Sequence, residues 1–173
     1  MRVGGGGRTR LFRPSAHANE GVMLDLFVDA DACPVRSEIF KVADRYALKV
    51  FVVTCGNVRV PFSDRVRLVL VEAGPDAADD WIADQIGAND ICITNDVLLA
   101  ARCLRQGASA VRPTGRLFTV ENVGDAVAQR DLAAHLREIG TISGGPPPFA
   151  SSDRSRFAQA LDTLVNQLRR KAV

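Results

Sequence analysis

Two carboxylates follow the first apolar run of the chain, and they carry its clearest chemical signal. Residues 24–28 are mostly apolar, Asp29 ends the run, and Asp31 comes two residues later, just before Cys33 and Pro34. Acids at the end of a buried strand repel each other and lose hydration, which destabilises their charged forms. A cation, a phosphate or a shared proton usually offsets that cost. The segment is therefore the leading candidate for a functional site.

Further acids follow later strands of the predicted sheet. Asp96 ends the segment Thr94-Asn95-Asp96 after the fourth strand, and several acids open the helix after the third. Ligands of open parallel sheets bind beyond the carboxyl ends of the strands, so these groups should meet. Oxygen ligands in a chain with only two histidines favour Mg²⁺ or Mn²⁺ over zinc. At 100° per residue, Asp79 lies near the buried face of its helix and Asp80 points away.

The elements that must position these acids alternate in type. Continuous apolar runs of strand length, separated by helical patterns, predict a three-layer α/β fold with a central parallel sheet and C-terminal helices packed against it. The first helix should begin at Pro34, and Gly87 and Gly107 should cap the second and third. The predicted strands are 24–29, 49–54, 67–72, 90–94 and 108–112, and the predicted helices are 34–47, 76–87, 96–106, 121–139 and 151–170.

Composition divides the chain into residues 1–22 and one domain, 23–173. The first 22 residues hold four arginines against one acid and a run of four glycines, which is typical of a disordered extension. The whole chain carries a net charge of +2, so residues 23–173 are near −1 and offer no general basic surface for nucleic acid. No apolar run approaches the roughly 20 residues of a membrane span.

The four cysteines form no C-x-x-C pair, which argues against a zinc site and indicates reduced thiols in a cytoplasmic protein. Cys33 is the exception to watch. It follows the acids and precedes a predicted helix start, where a thiolate would be favoured.

Several segments together resemble the YaiI/YqxD family of bacterial proteins, which has no established biochemical activity. The resemblance spans about residues 24–170, and its motifs agree in order and spacing, so it implies a fold more firmly than a function. Its segments are Val28-Asp-Ala-Asp-Ala-Cys-Pro34, Ala77-Ala-Asp-Asp-Trp-Ile82, Thr94-Asn-Asp96, Arg130-Asp-Leu132, Gly144-Gly-Pro-Pro-Pro-Phe149 and Asp153-Arg154.

A wider resemblance links the chain to the PIN-like nuclease superfamily. Residues 78–83 are similar to the E-A-D-D-x-I-A segment of flap-type 5′ nucleases, and residues 94–99 to their T-x-D-x-D-L segment. Ala77 and Leu98 stand where those enzymes carry further acids, which leaves open whether one ion, two ions or none is bound. The resemblance implies metal ligands at Asp29, Asp79, Asp80 and Asp96, and Asp31 joins them by proximity alone.

Three functions compete. The first is a Mg²⁺- or Mn²⁺-dependent nuclease, acting on RNA, in which Asp29, Asp79 and Asp96 are catalytic. The second is a PIN-like domain without catalysis that binds RNA or a protein in the same cleft. The third is a haloacid-dehalogenase-like phosphatase with Asp29 as nucleophile, but the D-x-D-[GT]-T continuation and a suitably placed lysine are missing. The oligomeric state stays open. Candidate substrate contacts are Asn95, Arg59, Arg112 and Arg116.

Overall fold

The computed structural model describes residues 23–31, 33–145 and 147–172, so the predicted extension 1–22 lies outside the described residues. Within them, a six-stranded sheet is combined with five helices. In chain order the elements are β1 (Asp25–Asp29), α1 (Arg36–Tyr46), β2 (Lys49–Thr54), β3 (Val66–Leu70), α2 (Ala77–Gln85), β4 (Ile91–Ile93), α3 (Val97–Arg105), β5 (Ser109–Val111), β6 (Leu117–Phe118), α4 (Val120–Glu138) and α5 (Ser151–Lys171).

The strand order of the sheet is β3-β2-β1-β4-β5-β6. The first five strands are parallel, and β6 pairs antiparallel with β5. The chain adds β2 and β3 on one side of β1 and then returns to add β4 and β5 on the other. The order therefore reverses between β1 and β4, where the carboxyl ends of the strands open a crevice for ligands.

Side chains of the central strands alternate between two cores. Leu26 and Val28 pack on one face of the sheet with α1 and α5, while Phe27 packs on the other face with α2, α3 and α4. All three side chains are essentially inaccessible to solvent. Because β1 is covered on both faces, its sequence is a continuous apolar run rather than an alternating one. These two cores make the three layers of the predicted fold, which is confirmed.

The connection between β2 and β3 contains no helix, and none was predicted between the strands 49–54 and 67–72. Residues 55–65 cross over in an irregular path, and Val58 and Val60 pack against the core beneath α1. Pro61 and Gly56 interrupt any helical pattern there. One consequence is that Leu70 of the edge strand β3 remains exposed.

Two local predictions were wrong, and one short strand was missed. The hairpin partner β6 was not predicted, because two residues are too few to give a periodic signal. Gly87 does not cap α2, since the helix ends at Gln85 and the Gly87 N–H is bound by the side chain of Asp90 instead. Helix α1 begins at Arg36 rather than Pro34. The Gly107 prediction was sound: this residue follows α3 with φ +81°, which favours glycine.

The two C-terminal helices differ in burial. Phe157, Leu161 and Leu164 of α5 lie in the core with α1, so α5 is part of the domain. Helix α4 contains no fully buried residue, and Leu132 is 58% exposed. Helix α4 packs mainly against α3, through half-buried side chains such as Val123 and Val127. No helix among the described residues is long and apolar enough to cross a lipid bilayer.

We expect Phe157→Ala to lower the free energy of unfolding by about 3–5 kcal/mol, because it leaves a cavity between α5 and the sheet. Urea unfolding followed by circular dichroism measures this loss. Gln159→Ala, an exposed change on the same helix, should stay within about 0.5 kcal/mol of the wild type. A loss below about 1 kcal/mol for Phe157→Ala would show that α5 is only loosely attached.

Candidate active site at the carboxyl ends of β1 and β4

Asp29 ends β1 and lies on the face of the sheet that α2, α3 and α4 cover. Its side chain follows the same alternation as Phe27, which puts a carboxylate at the rim of an apolar core. Burial raises the pKa of Asp29, and the nearby charges of Asp31 and Asp96 raise it further, while a hydrogen bond from Thr94 opposes the shift. Ionisation of Asp29 is therefore less favourable in the folded protein than in water.

The buried hydroxyl of Thr94 links the ends of β1 and β4. Its Oγ1 donates to Oδ2 of Asp29 at 3.0 Å and accepts the backbone N–H of Asp96 at 2.9 Å. Thr94 is 1% exposed, so water cannot replace either bond. This role of Thr94 was not predicted. A threonine directly after a buried strand, two residues before an acid, is the sequence feature that could have revealed it.

Asp96 is the N-cap of α3. Its Oδ1 accepts the backbone N–H groups of Leu98 at 2.8 Å and Leu99 at 3.1 Å, which satisfies two donors of the first helical turn. The Oδ2 atom makes no hydrogen bond among the described residues. The capping role and a role in the site therefore coexist, because they use different oxygens of one carboxylate.

Asp79 reaches the same place from the first turn of α2. Trp81 packs near the stacked rings of Phe27 and Phe51, with ring centroids 6.3 and 6.1 Å away, and Ile82 is fully buried. These contacts hold the helix with Asp79 turned inward. The pKa of Asp79 is raised to about 6, first by burial and then by the negative charges of Asp96, Asp29 and Asp76, with Arg102 opposing.

The other two acids proposed as ligands have different partners. Asp80 is exposed and forms an ion pair with Arg102 at 2.8 Å. Asp31 is exposed and turned toward β2, where its carboxylate accepts hydrogen bonds from the Thr54 hydroxyl and the Cys55 thiol. Asp29, Asp79 and Asp96 thus act on one another through their charges, whereas Asp80 is paired with Arg102. Asp31 is near enough to raise the pKa of Asp29, but its carboxylate is bonded to Thr54 and Cys55.

The donor chemistry of the three inner acids suits a hard divalent cation, because all the ligand atoms are carboxylate oxygens. Among the described residues, however, no three acidic, thiol or imidazole groups already form a ready-made metal site. Carboxylates that repel one another splay apart when no cation lies between them. A cation would therefore have to draw these side chains inward.

An open cleft of about 850 Å³ begins at Asp29 and Asp96 and extends along α4. Arg112, also predicted, lies in it, with its guanidinium 4.4 Å from the ring centre of Phe118; burial and the charge of Arg116 lower its pKa. Arg59 and Arg116 are exposed and do not line the cleft. The cleft-lining residues are Asp29, Asn95, Asp96, Val97, Arg112, Ala126, Gln129, Arg130, Ala133, Arg137, Ile142, Ser143, Gly144 and Gly145.

Cys33 does not behave as a favoured thiolate. The side chain is buried beneath the start of α1, and this burial raises its pKa to about 11. Asp29 and Glu38 add to the shift, which the nearby Arg36 opposes only in part. The thiol therefore stays protonated at neutral pH, and the expectation of a reactive cysteine there was wrong.

The fold and site define an α/β domain with a cleft, lined by two carboxylates and three arginines, at the reversal of a mostly parallel sheet. The sequence model described as "Uncharacterized BCR, YaiI/YqxD family" matches residues 27–167, and this chain belongs to that family. It is 55% identical over 148 residues to a UPF0178 protein of Rhodospirillum rubrum, covering 85% of this chain and 99% of that relative. A UPF0178 protein of Caulobacter sp. strain K31 is 52% identical, covering 86% and 98%. No solved structure matches the chain.

Replacing Thr94 tests the link between β1 and β4. We expect Thr94→Val, which keeps the shape and removes the hydroxyl, to lower the free energy of unfolding by about 1–3 kcal/mol, since the Asp96 N–H and the Asp29 carboxylate both lose a partner. Thr94→Ser keeps the hydroxyl and should recover most of the stability. Urea titration of both variants decides the point, and equal stability of Val and Ser at position 94 would refute it.

The crowded carboxylates should make the protein less stable as pH rises. The raised pKa of Asp79 means that, between its ordinary value of 3.8 and about 6, the folded state holds a proton that the unfolded state has lost. Stability from this group is thus complete below pH 3.8 and is lost as pH rises to about 6. At pH 7, Asp79→Asn should therefore stabilise the protein by about 1 kcal/mol, after allowance for solvent screening.

Thermal unfolding at pH 7 in a chelating buffer measures this gain, expected as an upward shift in Tm of about 2–4 °C. Asp84→Asn, an exposed change on the outer side of the same helix, is the matched control and should leave Tm unchanged. A Tm of Asp79→Asn at or below that of the control would show that the inner acids do not repel one another appreciably.

Proposed function

We propose that the protein is a nuclease that uses a divalent cation, Mg²⁺ or Mn²⁺, to hydrolyse phosphodiester bonds of RNA. The observation that carries the proposal is the Thr94 hydroxyl, which joins the Asp29 carboxylate to the backbone of Asp96 at one end of the cleft. Asp79 lies close enough to both acids for their charges to raise its pKa. Three carboxylates from separate elements are brought together where parallel sheets bind ligands, although this raises the free energy of the apo protein. The resemblance of residues 78–83 and 94–99 to flap-type nucleases agrees with this interpretation.

The site residues would have different roles in the proposed reaction. Asp29, Asp79 and Asp96 would hold one cation, because Ala77 and Leu98 supply no acids for a second. The cation would offset phosphate charge and lower the pKa of a water molecule. Thr94 keeps the Asp29 carboxylate oriented, and Asn95 and Arg112 line the same cleft, within reach of a bound phosphate. The proposed ligands Asp80 and Asp31 would serve only indirectly.

A phosphatase reading receives less support from the geometry. Its expected lysine has no counterpart in the cleft, since the three lysines of the chain are Lys41 beside α5, Lys49 at the far end of β2 and Lys171 in the last turn of α5. Thr54 follows the second strand, where such a phosphatase would need a phosphate-binding threonine, but its hydroxyl donates to Asp31. Trapping a phosphoaspartate at Asp29 during turnover would revive this alternative.

The test combines cation binding with cleavage. Calorimetry should detect Mn²⁺ or Mg²⁺ binding at millimolar or lower concentration, and the protein should cleave a 5′-labelled single-stranded RNA only when the cation is present. Asp29→Asn should abolish binding, and Asp29→Asn and Asp96→Asn should each lower the cleavage rate at least about 100-fold. Asparagine is also a good N-cap, so Asp96→Asn should stay folded.

Asp125→Asn, an exposed change on α4 outside the cleft lining, is the matched control and should retain full activity. If the wild type binds RNA but neither binds a cation nor cleaves, the non-catalytic alternative is correct. If it neither binds a cation nor touches RNA, the proposal fails as a whole.

A further inference from the structure

Helix α4 separates its charges by face. It carries four acids, Glu121, Asp125, Asp131 and Glu138, and none of them lines the cleft. The α4 residues that do line it are Ala126, Gln129, Arg130, Ala133 and Arg137. A random surface helix with this composition would place acids on every side. The sorting therefore gives the cleft one positively charged side, facing the acids of Asp29 and Asp96.

The spacing along that face is regular. Ala126, Arg130, Ala133 and Arg137 fall at intervals of four, three and four residues, which is one stripe of an α-helix. We call these four residues the α4 cleft face. The two arginines are seven residues apart, or about 10 Å along the helix axis. Ala126 and Ala133, one turn before each arginine, leave room for a bulky group to approach the helix closely.

The arginines of this face are available to a ligand. Arg130 has only a long contact to Asp131, at 3.7 Å, and about half of its side chain is exposed. Arg137 forms no ion pair with any described residue, and it too is exposed. By contrast, Arg45, Arg102 and Arg154 outside the cleft are held by close ion pairs or hydrogen bonds. Long cationic side chains facing a groove favour a polyanion that supplies charges at intervals.

We propose that the α4 cleft face binds the backbone of a polynucleotide strand, with Arg130 and Arg137 each contacting a phosphate beyond the one at the acids. This inference rests on the proposed function for the position of the reacting phosphate. It goes further in making the substrate a polymer that spans the cleft from Asp29 to Arg137, rather than a mononucleotide or a small phosphate ester. The open shape of the cleft lets a strand enter without threading.

Binding of a fluorescein-labelled 12-nucleotide RNA to the full chain, in a chelating buffer, tests the inference without catalysis. We expect R130A/R137A to weaken binding at least about tenfold near 100 mM salt, and to reduce the slope of log affinity against log salt by about 1.4, since each lost single-strand phosphate contact removes about 0.7. R130K/R137K should recover most of the affinity. A labelled DNA of the same sequence, bound equally well, would indicate contacts to phosphates only.

The matched control is R105A/R156A, which removes the same charge from the last turn of α3 and from α5, outside the cleft. It should bind the RNA about as well as the wild type. If R130A/R137A binds no more weakly than this control, the inference is overturned. Unchanged RNA binding with a lower Tm would show instead that the two arginines only balance the acids across the cleft.

Strand length and cleavage separate this inference from the proposed function. Affinity should rise steeply from a mononucleotide to about four nucleotides, and the rise should vanish in R130A/R137A. If RNA binding depends on both arginines but no cation supports cleavage, the α4 cleft face binds RNA and the proposed nuclease activity is refuted. If cleavage depends on a cation and R130A/R137A leaves KM unchanged, the proposed nuclease activity is supported and RNA binding by the α4 cleft face is refuted.

Discussion

The burial of β1 on both faces is the constraint on which the rest of the molecule depends. Leu26, Phe27 and Val28 contact helices on either side, so β1 must be a central strand with parallel neighbours. Parallel neighbours need crossovers, and crossovers on opposite sides of β1 create the reversal between β1 and β4. Where β1 leaves the core, its next residue meets solvent and the ends of other strands. Asp29 occupies that position.

A few hydrogen bonds partly offset the repulsion and desolvation of the carboxylates at this point. The Thr94 hydroxyl and the first turn of α3 supply donors to Asp29 and Asp96, whereas Asp79 has no such donor among the described residues. The pKa of Asp79 is accordingly raised to about 6. Arg130 and Arg137 line the other side of the cleft and form no ion pair with these acids among the described residues. Under the proposed function, such an arrangement would attract a cation to the acids and a phosphate to the arginines.

The order of elements was predictable, and the details of their ends were not. Buried runs such as residues 49–54 have an unmistakable composition, because strands covered on both faces are rich in Val and Ile. By contrast, the two-residue β6 and the irregular β2–β3 connection depend on pairing and packing partners that are distant in sequence. Gly87 illustrates the same point. The sequence pattern predicted that Gly87 caps α2, but its N–H donates to the carboxylate of Asp90 instead.

Some features of the candidate site were likewise predictable from the sequence, and others were not. Helix periodicity already separated Asp79 from Asp80, and the structure places Asp79 inward and Asp80 in an ion pair with Arg102. Of the loop arginines, only Arg112 lies in the cleft, since a position in a loop says little about direction. The α4 arginines were harder to recognise. Which face of α4 meets the cleft depends on how the helix docks, and it docks by Val123 and Val127 rather than by the exposed Leu132.

The sequence by itself determined the α/β class, the membership of the YaiI/YqxD family and the acids at the strand ends, because composition, periodicity and local motifs are properties of neighbouring residues. Only the tertiary structure decided which acids converge, that Thr94 joins them, that Cys33 is buried as a thiol, and that α4 turns its arginines toward the cleft. Those outcomes depend on the strand order and helix docking, which place residues some 65 to 100 positions apart side by side.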